Sequence, residues 1–83
     1  MNDELKKIDY LYYDSYKNRL ANVVFKDGTK MTGWCYDMHG AIDEDENYLG
    51  YDICYFEDIK SGIHYCLLEK DIQSVQIGDK IYY

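Results

Sequence analysis

Apolar residues recur at helical spacing near the start of the chain, at Leu5, Ile8, Tyr12 and Tyr16 with Leu11 in support, which predicts one amphipathic helix over residues 3–18. Asn2 stands where an N-terminal cap belongs, with acids in the first turn, and Lys17 and Arg19 suit the negative end of the helix dipole. From Leu20 the period changes to two. Ala21, Val23 and Phe25 alternate with Asn22, Val24 and Lys26, the pattern of a strand with one face on a core. Asp27 and Gly28 follow, and this pair between two such runs predicts a tight hairpin into a second strand over residues 30–38. Gly33 marks a bend or bulge within it.

Residues 39–49 are polar and read as a connecting loop. Three β-rich runs come after it, "YDICYFED", "IHYCLLE" and "IQSVQI", separated by "IKSG" and "KD". The expected fold is mainly β with an N-terminal α-helix: a five-stranded, strongly bent antiparallel small barrel over residues 20–78, with the helix over one end and a tail at 79–83. Eighty-three residues make a single domain, 1–83.

Composition narrows the function more than it defines one. The net charge of −7 opposes attraction to phosphate backbones and anionic membranes and favours a partner with a basic surface. Asp3, Glu4, Lys6, Lys7 and Asp9 are too many charges for a secretory leader, and three cysteines without close pairing fit reduced thiols. A soluble, cytoplasmic protein is expected. Cys35, Cys54, Cys66, His39 and His64 are the soft-ligand set, but their spacing is not that of a zinc ribbon, and they read as packing residues. Neither a phosphate loop nor a nucleophile elbow stands in the chain, so no enzyme activity, metal or cofactor is expected.

The stretch "AIDEDENYLGYD" imitates a calcium loop, with Asp43, Asp45 and Asn47 at alternating positions. Tyr48 then falls where a glycine is needed and Cys54 where a bidentate Glu should close the shell. The acids are therefore read as a hydrated surface. With 11 Tyr in the chain, some rings must lie outside the core. Tyr10 and Tyr13 are expected off the helix's core face, and Tyr48, Tyr51 and Trp34 are candidate anchors beside the steering charges Asp43, Glu44, Asp45 and Glu46.

The hairpin "VVFKDGTKMTGWCYD" and the junction "LLEKDIQSVQIGD" resemble the Sm-like proteins, in particular small bacterial members, over about residues 20–78. The resemblance implies a small barrel that associates edge to edge through strands four and five into a ring or smaller oligomer, unless the "DKIYY" tail caps that edge instead. Where Sm-like RNA binders carry Asp then Asn, this chain has Asp37 followed by "MHGA", and where they carry a basic residue then Gly it has Glu69 and Lys70. Direct nucleic-acid binding is disfavoured by those departures. The expected function is a non-enzymatic acidic module that engages a protein, in its sharpest form an inhibitor of a nucleic-acid-binding protein; the alternative is an Sm-like RNA-binding ring with an atypical site.

Overall fold

A computed structural model describes residues 5–83. The expected cap Asn2 and helix residues 3–4 lie outside the described residues. The helix α1 spans Lys7–Asp14, shorter than expected at both ends. The Lys6 amide donates to Asp9 Oδ2 at 2.7 Å, closing the first turn. Ile8 and Leu11 are its buried residues.

Ser15 ends the helix. It takes an extended backbone, and its buried hydroxyl donates to the Leu11 carbonyl while accepting the Cys35 amide at 3.0 Å. One side chain thus satisfies a free helix carbonyl and ties the helix to the sheet. A tight turn closed by Tyr16 and Arg19 follows. The core face therefore differs from expectation: Tyr12 and Tyr16 are exposed, whereas Tyr10 packs against the core with its ring stacked on Tyr82 at 3.7 Å.

Six strands form one sheet: β1 (Ala21–Phe25), β2 (Lys30–Ile42), β3 (Tyr48–Asp58), β4 (His64–Leu68), β5 (Ile72–Ile77) and β6 (Lys80–Tyr82), in the order β4-β3-β2-β1-β5-β6 and all antiparallel. The expected tail is the sixth strand, and it covers the outer edge of β5. The sheet does not close into a barrel. Strand β4 ends it on one side, and a groove of ≈ 460 Å³ lies between Tyr65 and Leu67 of β4 and Phe25 and Met31 of the first hairpin. Closure would require β4 to pair with the outer edge of β6, because β5 is already flanked by β1 and β6, and a 3₁₀ turn over Glu69–Asp71 carries the chain from β4 to β5 without that pairing.

Inward residues of the sheet and one face of α1 make a single core around Phe56, Ile8, Leu11, Ile72, Ile77 and Val23, all fully buried. Burial of each such side chain contributes roughly 1.5–3 kcal/mol. Glu69 secures the helix from the sheet side. Its carboxylate accepts the Ile8 amide at 3.0 Å and pairs with Lys7 Nζ at 2.8 Å, so a negative charge sits at the positive helix end.

The first hairpin turn also differs in detail. The Phe25 amide donates to the Thr29 carbonyl at 2.9 Å, leaving a three-residue loop in which Gly28 alone takes a positive φ, +94°, rather than the two-residue primed turn expected of Asp27 and Gly28. Asp27 accepts both the amide and the hydroxyl of Thr29.

Candidate functional site

Strands β2 and β3 run thirteen and eleven residues, well beyond the five-residue β1 and β4 beside them. The expected loop over 39–49 is mostly strand: His39 stands opposite Ile53, Gly40 opposite Asp52 and Ile42 opposite Tyr48. Apart from Ala41, which is buried, the residues of this extension are exposed or half-buried, so they need not alternate in polarity and the period of two is lost. Asp43, Glu44, Asp45 and Glu46 stand at its tip, all exposed.

The tip repeats the geometry of the first hairpin. The Asp43 amide donates to the Asn47 carbonyl and the Glu46 amide to the Asp43 carbonyl, both at 3.0 Å, so residues 44–46 form a three-residue loop. Asp43 Oδ1 accepts the amides of Asp45 and Asn47, each at 2.9 Å. The alternating acids that resemble a calcium loop are thus a turn signature, with one oxygen of the first supposed ligand committed to backbone. Among the described residues no group of three or more His, Cys, Asp or Glu side chains is placed to hold a metal ion.

Those amides, Asn47 foremost, hold the Asp43 carboxyl below the ordinary aspartate value of 3.8. A carboxyl whose folded pKa is depressed adds stability above its unfolded value and loses it as pH falls through the folded one. Acidification from pH 5 to below 3.8 is therefore expected to shift and broaden the Asp45 and Asn47 amide resonances together while those of β1 and β5 hold. Unmoved tip amides across that range would contradict the turn described here.

The predicted binding residues do not form one patch. Tyr48 stands at the base of the tip, its ring across Gly40 and its hydroxyl donating to Asp52 at 3.1 Å. Tyr51 lines a cleft of ≈ 380 Å³ with Lys6, Leu68, Glu69 and Lys70, beside the start of α1. Trp34 lies eight residues before Ile42, roughly 25 Å along β2, and pairs with Glu57. Tyr10 and Tyr13 do not join them: Tyr10 is on Tyr82, and Tyr13 is edge-on to Tyr12.

A second cluster surrounds Trp34, assembled by a bulge. Cys35 pairs with Phe56 and Asp37 with Tyr55, leaving Tyr36 as the extra residue. Cys35 and Met38 face the core, so Trp34, Asp37 and His39 face outward with Tyr55 and Glu57 of β3 and His64 of β4. The Tyr36 ring lies 4.8 Å from His64, 6.0 Å from Trp34 and 6.4 Å from Tyr55, and His39 is edge-on to Tyr55. His39 Nε2 donates to Asp37 Oδ2 at 2.7 Å, and that bond, followed by the Met38 amide, lowers the Asp37 pKa. Alternation in "HYC" was the available signal for His64 and Cys66; the bulge that brings Tyr36 to them had none.

The thiols follow the packing reading at two positions. Cys35 and Cys54 are buried, and the neighbouring Cys35 together with burial pushes the Cys54 thiol upward, which leaves it inert. Cys66 is exposed, contrary to expectation.

The arrangement defines a class, a small mainly-β domain with a helix on one face of an open sheet and a long acid-tipped hairpin. No family model, curated protein or solved structure matches the chain. Among the described residues no helix is long and apolar enough to cross a membrane.

Proposed function

We propose that the protein is a non-enzymatic binding module whose β2–β3 hairpin carries an acidic tip to a basic surface on a protein partner. The observation that carries this reading is Glu46. It takes φ +62°, and it is the non-glycine residue with positive φ among the described residues, at the loop position that Gly28 fills in the first hairpin. A left-handed conformation costs a residue with a Cβ about 1 kcal/mol relative to Gly. The chain bears that cost and keeps a fourth carboxylate at the tip, a pattern expected where function opposes stability.

Glu46→Gly is therefore expected to raise stability by about 0.5–1 kcal/mol in urea unfolding while weakening partner capture. A destabilised variant, or one that captures the partner as well as the parent, would count against the proposal. The general test is affinity capture from host lysate at low and high salt. Retention that falls as salt rises fits a charge-steered interface, and retention indifferent to salt does not. If the partner's basic surface is a phosphate channel, the module acts as an inhibitor of a nucleic-acid-binding protein.

The RNA-binding ring implied by the Sm-like resemblance has two features against it. Glu69, at the position where a cation should meet phosphate, is committed to the amide of Ile8 and to Lys7. Strand β6 occupies the β5 edge through which neighbouring subunits would pair.

A further inference from the structure

Resting on the reading above, we propose that the outward face of β2, β3 and β4 around Tyr36 and Tyr55 receives an arginine side chain of the partner, so that the acidic tip steers and this face selects. Asp37 stands opposite Tyr55 and Glu57 opposite Trp34. Asp37 and Glu57 are diagonal neighbours, which puts their backbones roughly 7–8 Å apart with the Tyr36 ring beside them. Ring faces flanked by two carboxylates match a guanidinium, which stacks on aromatic faces through its plane and meets carboxylates through its fork. A lysine ammonium is a hydrated point charge and uses only part of such a surface.

Charge on this face supports the assignment. The register partners of Trp34, Asp37, His39, Tyr55 and Glu57 are Glu57, Tyr55, Ile53, Cys66 and His64, with no Lys or Arg among these described residues. The side-chain donors at hand are the two imidazoles. His39 is bonded to Asp37, and His64 Nε2 lies 3.8 Å from Glu57 Oε1; an incoming guanidinium displaces weaker donors from both carboxylates. The Trp34 indole N–H is buried without an acceptor among the described residues, and packing of an arginine stem over the ring leaves it so. A second copy of this chain is a poor occupant, because it carries a single arginine, Arg19, and a net charge of −7. A nucleobase would stack on the same rings, but its phosphates would meet carboxylates.

Trp34 is the only tryptophan, so its fluorescence reports directly on the site. The test titrates the full chain with blocked tetra-arginine and tetra-lysine peptides of equal charge at low salt. Tetra-arginine is expected to bind about fivefold or more tightly than tetra-lysine and to change the Trp34 emission. The isosteric pair Asp37→Asn and Glu57→Gln, and separately Tyr36→Ala, should bring the ratio near one. Neutralising the four tip acids should weaken both peptides and leave the ratio intact. Equal, salt-sensitive binding of the two peptides overturns the arginine site and leaves the acidic module standing, whereas failure of both to bind overturns the two together. A ratio that survives Asp37→Asn with Glu57→Gln, or a Trp34 response to oligo-uridine and to neither peptide, also overturns it.

Discussion

Gly33→Ala is expected to lower the melting temperature by about 15 °C or more. A Cβ at this position would lie 1.8 Å from the Glu57 carbonyl oxygen and 2.8 Å from the Phe56 ring. The oxygen belongs to the β2–β3 ladder and Phe56 is fully buried, so neither can retreat without parting the strands. A cost of about 3 kcal/mol or more follows, a large share of the about 4–12 kcal/mol typical of a domain this size, and each kcal/mol moves the midpoint by about 4–8 °C. Gly40→Ala is the control. Its Cβ would meet the Tyr48 ring at 2.9 Å, but that ring is exposed and can swing aside, so a loss under about 1 kcal/mol is expected. Thermal unfolding followed by circular dichroism distinguishes the two, and equal effects would show that the hairpin's base is looser than described.

The second large effect is kinetic. Replacing Asp43, Glu44, Asp45 and Glu46 by Asn and Gln takes the formal charge from −7 to −3 and removes the charges that reach furthest from the sheet. Association with a basic partner at low salt should slow by about ten- to a hundredfold while dissociation changes little, because steering acts on encounter. Surface plasmon resonance across a salt series checks this. The two proteins should converge near 1 M salt, where the screening length falls to about 3 Å. Asp43→Asn retains an oxygen that can accept the Asp45 and Asn47 amides, so the turn should survive the replacement.

Much of the fold is legible in the chain because one-sided burial leaves a period. Ala21 and Val23, Cys54 and Phe56, and Ile72, Val75 and Ile77 face the core and announce their strands by spacing, with Ile72 one step out of strict alternation where the β1–β5 register shifts. The distal halves of β2 and β3 were illegible for the converse reason. The helix misled because four tyrosines share its length and an amphipathic ring serves either face; Ile8, Leu11 and Ser15 set the buried side, and Ser15 does so through hydrogen bonds that no hydropathy pattern records. Strand β6 is three residues long, too short to alternate, and becomes a strand only because β5 offers it an edge. Closure of the sheet depends on how the Glu69–Asp71 turn aims the chain, a tertiary matter that hairpin motifs do not encode.

The candidate site was half visible. Exposure of the four acids follows from their charge, and the turn chemistry of Asp43 is of the kind that Asx residues supply. Trp34 stands far from them because β2 continues to Ile42, past residue 38 where the apolar pattern ends. Tyr36, Tyr55, His39 and His64 meet only because a bulge turns two successive residues of β2 outward.

The account is tested most directly by mapping a captured partner onto this chain with hydrogen–deuterium exchange at low salt. It predicts slowed exchange at residues 43–47, along the outward positions of β2 and β3 and at His64 where β4 begins, with the rest of the β4 edge unchanged. Slowed exchange confined to β4 and the groove beside it, with residues 43–47 as open as in the free protein, would contradict it.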